Sequence, residues 1–123
     1  MRGLFYDILT YPVERFVFSS MRRELFRRLS GRLVDVGVGT GADFAYYNPK
    51  ASVIALEPDP RMFDRAVRRR TRAKAAIDLI QADDAYLDEL GADSADAVIF
   101  AFVLCTVSDT VRALRRARRV RCG

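Results

Sequence analysis

Histidine does not occur among the 123 residues of this chain. Its absence removes Ser-His-Asp and Cys-His catalysis and every histidine-based metal site. Any general base must be Asp, Glu, Tyr, Lys or a water. Cysteine is scarce. Cys105 and Cys122 are the only two; they have neither metal-ligand spacing nor a secreted context, so they read as free thiols and no metal is expected. Long hydrophobic runs are missing as well. The longest, Ala97 to Val107, falls short of the about 20 residues that a membrane-spanning helix needs. The start, Met1-Arg2-Gly3-Leu4-Phe5-Tyr6-Asp7, lacks the apolar stretch and cleavage site of a secretory signal, and the expected compartment is the cytoplasm.

What is present is an ordinary globular composition. The length suits one domain, and half of the residues are apolar, enough for a core. Net charge is +5, and the excess is concentrated in two places. Arg61, Arg65, Arg68, Arg69, Arg70, Arg72 and Lys74 face only Asp64; residues 112 to 121 carry six arginines and no acid. Two readings compete. A nucleic-acid footprint would look like this, and so would the solvated faces of two outer helices.

The chemistry is concentrated in Leu33-Val34-Asp35-Val36-Gly37-Val38-Gly39-Thr40-Gly41. An apolar strand runs into three glycines at alternate positions and then into an expected helix. Glycine lets the backbone turn and lets a ligand lie on it, and the free N–H groups of a helix start favour polar or anionic ligand atoms. About 20 residues on, where a nucleotide fingerprint places its acid, Ser52-Val53-Ile54-Ala55-Leu56 ends in Glu57. A carboxylate there can take both hydroxyls of a ribose, so an adenosine-containing cofactor is expected. Gly37-x-Gly39-x-x-Ala42 also satisfies the relaxed dinucleotide pattern. Two details favour S-adenosylmethionine instead. Asp35 would sit near an anionic pyrophosphate but would welcome a cationic ligand, and the third glycine comes early.

The rest of the chain alternates strand and helix. An amphipathic helix is expected over residues 12 to 30, with Val13, Phe16, Val17, Met21, Leu25 and Leu29 at helical spacing, started by Pro12 and stopped by Gly31. Arg32 to Val36 reads as strand one and Ala42 to Tyr47 as a short helix ended by Asn48-Pro49. Ser52 to Leu56 is strand two. A helix capped by Asp59 and opened by Pro60 is expected to run to about Ala76. Ile77 to Gln81 is strand three, Tyr86 to Leu90 a helical turn stopped by Gly91, and Ala95 to Leu104 strand four. A last helix capped by Ser108 or Asp109 carries Val111, Leu114 and Val120. Alternation of this kind means an α/β fold with a parallel sheet.

Val34-Asp35-Val36-Gly37-Val38-Gly39-Thr40-Gly41 resembles motif I of the class I S-adenosylmethionine-dependent methyltransferases, with Val38 where a cysteine is common. Leu56-Glu57-Pro58-Asp59-Pro60-Arg61-Met62, Gln81-Ala82-Asp83-Asp84, Asp96 to Phe100, Val103 to Asp109 and Arg119-Val120-Arg121-Cys122-Gly123 resemble the family's later segments in order. Tyr6-Asp7, Glu14 and the basic helix after them are similar to type 11 methyltransferases, including the ubiquinone-biosynthesis group. The resemblance implies a Rossmann-like parallel sheet of which strands 3-2-1-4 are present, with residues 1–31 as an N-terminal helical cap and 32–123 as a core lacking the C-terminal strands. Strand four would then be an edge, available for self-association; a fragment or an altered end are the other readings of that ending.

The same resemblance implies site roles. Gly37, Gly39, Thr40 and Gly41 would lie against the cofactor, with Asp35 facing its amino group and Glu57 its ribose. Pro58 and Met62 would flank the adenine, Asp83 or Asp84 would accept from the adenine amino group, and Phe102 would border the donor methyl. Asp83 and Asp84 also suit the start of a turn, and Met62 suits a core. Tyr6, Tyr46 and Tyr47 suit either a lid or packing. The acceptor would be a small or lipid-like molecule. The aromatic N-terminus with Arg22, Arg23, Arg27 and Arg28 would meet an apolar substrate or a membrane surface, or serve as a core helix. No Asn-Pro-Pro-Tyr-like segment follows strand four, which argues against amino-methylation of nucleic acid. Three further readings stay open: a non-catalytic S-adenosylmethionine-binding subunit, a basic nucleic-acid-binding module, and a nicotinamide-dependent oxidoreductase.

Overall fold

The computed structural model describes residues 23–100 and 107–121. Most of the expected first helix, Tyr6, Phe102 and both cysteines lie outside the described residues.

Four parallel strands form one sheet: β1 Gly31–Val36, β2 Ala51–Leu56, β3 Ala76–Ile80 and β4 Ala97–Phe100. Their order is β3-β2-β1-β4, as the resemblance implies. β1 pairs with β2 from Gly31↔Ala51 to Val36↔Leu56 and with β4 from Leu33↔Ala97 to Val36↔Phe100. Leu33, Val34, Asp35 and Val36 are all buried, as befits a strand covered on both faces. Observed β2 and β3 each start one residue earlier than expected. β4 starts two residues later because the Arg32 amide of β1 donates to the Asp96 carboxylate at 2.8 Å and not to a β4 carbonyl, although the Asp96 N–H already donates to the Arg32 carbonyl at 2.7 Å. Ala95, just before it, makes an isolated parallel bridge with Arg121.

Helix α1 is Pro60–Arg69 and helix α2 is Val107–Val120. Asp59 caps α1 as expected, accepting the Arg61 and Met62 amides. The helix ends well short of Ala76, passing through a 3-10 turn at Arg70–Arg72. Ten residues rise about 15 Å, close to the length of β2, and the chain must then turn so that Ala76 can pair with Ser52. In α2, Ser108 and Asp109 lie within the helix, not ahead of it as caps. The helix expected over 42 to 47 is only a 3-10 turn, Phe44–Tyr46. Asn48 explains this. Its amide donates to the Phe26 carbonyl at 3.1 Å and its side chain to the Arg27 carbonyl at 2.7 Å, so the chain is drawn back to the helical residues 23–28 before an α-helix can nucleate.

The two faces of the sheet carry separate cores. Val34, Val36, Leu56 and Phe100 pack with Leu87 and with Ala113, Ala117 and Val120 of α2. Leu33, Val53, Ala55 and Ile99 pack with Phe26, Phe44, Tyr47 and Ala66 of α1. The two arginine-rich segments thus lie on opposite faces and do not merge into one basic surface. Among the described residues, no helix is long and apolar enough to cross a membrane.

Gly31 shows how tightly β1 is seated. Its φ is +92°, and a Cβ there would stand 2.4 Å from Asp96 Oδ2. Gly31→Ala is expected to cost about 1–3 kcal/mol in urea unfolding, with part recovered when Asp96→Ala is added, because the clash partner is gone. Asp96 itself carries a pH signature. The Arg32 amide hydrogen bond, against a smaller desolvation effect, holds its carboxyl below the usual range, helped by the Arg32 guanidinium. A lowered folded pKa gives stability that is complete above the ordinary aspartate value of about 3.9. That stability is lost as pH falls through the lowered folded value. Asp96→Asn should therefore flatten the acid limb of a stability-against-pH curve; an unchanged limb would count against the contact.

Candidate functional site

β1 and β2 end side by side at Val36 and Leu56, and both chains then turn into the same space. The Gly37 and Val38 amides donate to the Leu56 carbonyl at 2.7 and 3.0 Å, which folds the glycine segment over the end of β2. Gly37, Gly39 and Gly41 have φ of +79°, +60° and +78°, a region that disfavours side chains. Their surroundings differ. A Cβ on Gly41 would meet the Phe44 ring at 2.7 Å, so that glycine serves packing; one on Gly39 would touch only the Met62 sulfur at 3.7 Å, so that glycine faces open space.

Glu57 follows β2 directly and is 7% exposed. Its Oε1 accepts the Gly39 amide at 2.7 Å and its Oε2 the Asp59 amide at 3.0 Å. Its own N–H donates to the Ile80 carbonyl. Two backbone donors thus fix the carboxylate, and each oxygen retains a further acceptor site. The two acidic and glycine motifs, read apart in the sequence, are in direct contact.

Asp35 lies beneath the loop, 2% exposed, and accepts the Tyr47 hydroxyl. Tyr47 packs edge-on against Phe26 at 5.0 Å and against Phe44 at 5.6 Å. Its ring is buried and its hydroxyl engaged, so it is a prop under the site and not a lid. Tyr46 is partly buried against the same core, with Arg23 and Arg27 over its ring. Thr40 Oγ1 accepts from Arg69 at 3.2 Å. Nothing in the arginine run singled Arg69 out.

Beyond Glu57 lies an open depression of about 450 Å³ lined by Pro58, Gln81, Ala82, Asp83, Ala85, Tyr86 and Glu89. Met62, 42% exposed, lies beside Gly39, does not line the depression and is not part of the core. The structure separates the two aspartates that the sequence left as alternatives. Asp83 lines the depression while accepting the Ala85 amide at 2.9 Å. Asp84 turns to Arg116 at 2.9 Å and does not line it. Asp35, Gly37, Gly39, Thr40, Gly41, Glu57, Pro58, Met62 and Asp83 therefore share one end of the sheet; Phe102 is outside the described residues. Among the described residues, no group of His, Cys, Asp and Glu is arranged to hold a metal ion.

Residues 34–121 match the family model described as a methyltransferase domain. The human thiol S-methyltransferase TMT1B is 30% identical over 120 residues, 89% of this chain and 49% of that protein. The ubiquinone/menaquinone biosynthesis C-methyltransferase UbiE of Syntrophotalea carbinolica is 31% identical over 116 residues, 92% of this chain and 48% of its own length. The chain spans about half the length of the curated relatives it matches. Among solved structures, Pyrococcus horikoshii TYW2 in complex with MeSAdo superposes with a TM-score of 0.65 at 24% identity, covering 83% of this chain and 39% of that one. A S-adenosylmethionine-dependent methyltransferase from Mesorhizobium loti gives 0.59 at 23% identity, covering 86% and 48%. At these identities the structural likeness is one of fold.

Tyr47→Phe keeps the ring and removes the donor to a buried carboxylate. It should lower stability by about 1–3 kcal/mol, read as a shift of the urea midpoint at unchanged slope. A midpoint within error of wild type would mean that the hydroxyl does not support Asp35.

Proposed function

This chain belongs to the methyltransferase domain family, and on that premise we propose that it binds S-adenosylmethionine and directs its methyl group to a small or lipid-like acceptor. The observation that carries the reading is the Glu57 carboxylate fixed against the open side of Gly39. It offers paired acceptors for a ribose diol at the point where backbone alone can lie against the ligand.

Bound there, the cofactor supplies a methyl on a cationic sulfur that leaves as a neutral thioether, so the protein's task is chiefly positioning. Glu57 receives the ribose hydroxyls on the acceptor sites its two amide partners leave free. The Gly37 to Gly41 backbone, with Thr40, carries the amino-acid portion, and Asp35 below it balances the amino group directly or through water. Pro58 and Met62 flank the adenine, and Asp83 accepts from its amino group. The acceptor class rests on relatives named for thiol and for ubiquinone/menaquinone methylation.

Two observations weigh against the competing readings. A dinucleotide's pyrophosphate would meet Asp35 and Glu57 where only a three-residue 3-10 turn follows the glycines, without the helix N-terminus that such anions use. A nucleic-acid module needs one continuous basic face, and the two arginine segments occupy opposite sides of the sheet.

Calorimetric titration tests the proposal. S-adenosylmethionine and S-adenosylhomocysteine should bind saturably and NAD should not. Glu57→Ala should weaken both by at least about tenfold, since it deletes charge-assisted hydrogen bonds. A cooperatively folded chain that binds neither would overturn the reading.

A further inference from the structure

The wall of the base depression is held from behind by two arginines of α2. Residues Asp84–Glu89 form a 3-10 segment, a poorly bonded geometry that seldom stands unaided. Its first and last turns are tied together from outside: Arg116 pairs with Asp84 at 2.9 Å and with Asp88 at 3.2 Å. Its terminal carbonyls, Leu87 and Leu90, both accept from Arg119, at 2.7 and 2.5 Å. Arg116 and Arg119 are three residues apart and so share one face of α2. The Arg116 and Asp84 side chains are only 23% and 26% exposed, so that pair is less screened than one in open solvent, whereas Asp88 is 55% exposed. On the inner side the segment is anchored by Leu87, which is fully buried.

The same segment and its cap form one wall of the depression through Asp83, Ala85, Tyr86 and Glu89. Asp83 is its N-cap, with the Tyr86 amide donating to the Asp83 carbonyl. Where the Asp83 carboxylate points is therefore set by how the segment is seated, and the seating is set by α2. We propose that Arg116 and Arg119 are positioning residues that determine which base the site accepts. They hold Asp83 where it reads a purine carrying an amino donor and rejects one carrying a carbonyl. This rests on the S-adenosylmethionine reading above. The physical basis is that a fixed carboxylate accepts from an amino group but repels a carbonyl oxygen, and a polar site discriminates only as well as its groups are held.

The test compares S-adenosylhomocysteine with S-inosylhomocysteine, identical apart from the base, by calorimetry on the full chain. Wild type should favour the adenine ligand by about tenfold or more. Arg116→Ala should bring that preference to within about threefold, mainly by weakening the adenine ligand, and Asp83→Asn should do the same. Arg119→Ala should follow in direction. If Arg116→Ala does not fold, Arg116→Lys and Asp88→Asn, which weaken the clamp without emptying it, should each narrow the preference part-way. A structural role alone would lower thermal stability or weaken both ligands equally. An unchanged ratio in the folded variants therefore overturns the proposal, as does a wild type that binds both ligands alike. A wild type that binds neither overturns the cofactor reading itself, a distinct outcome.

Discussion

The contact between the Gly39 amide and the Glu57 carboxylate is the hinge of this structure. It joins the chain leaving β1 to the chain leaving β2, and it can form only if the two strands finish level with one another. The six-residue register from Gly31↔Ala51 to Val36↔Leu56 secures that. The double acceptance by the Leu56 carbonyl then bends the glycine segment inward. Each positive φ in the segment follows from this bend. Alanine in place of the glycines would have to adopt the same left-handed backbone at a cost. A buried carboxylate is expensive unless its oxygens are bonded, so the two amides that fix Glu57 also make its burial tolerable.

The sheet class, the α1 cap and the pairing of a glycine segment with a distant acid were legible because each has a local cause; the strand order followed from the family resemblance. Alternation of strand and helix fixes the sheet class, Asp59-Pro60 is a complete start signal, and Glu57 lies at a recognisable distance from Gly37. The errors have causes that are tertiary. The sequence marks where the segment 42 to 47 ends but not that it is only a 3-10 turn; Asn48 imposes that by reaching back to residues 26 and 27. Asp83 and Asp84 are chemically equal neighbours, and only Arg116, 32 positions downstream of Asp84, separates them. Tyr47 offered either a lid or a prop, and its choice depends on Phe26 and Phe44 closing over it.

The arginines illustrate how one residue type divides its labour. As composition they form two basic blocks. In the fold, Arg69 bonds the glycine segment through Thr40, Arg116 pairs with two aspartates, and Arg119 supplies donors to two carbonyls that end a 3-10 turn. The planar, multiply donating guanidinium suits each task where lysine's single ammonium would serve fewer partners. Charge that looks like a footprint in the sequence is partly internal scaffolding.

The aromatic group under the loop has a consequence for where the working unit begins. The family match starts at Val34, inside β1. Phe26, fully buried against Tyr47, comes from upstream of that boundary, as do Gly31, Arg32 and Leu33 of the strand itself. A protein excised at the boundary would keep the glycine motif and the acidic segments that follow it. It would lose half of its central strand and one ring of the stack on which Asp35 rests. The recognisable domain and the mechanically complete domain are therefore different stretches of this chain, and the second reaches back at least as far as the helical residues 23–28.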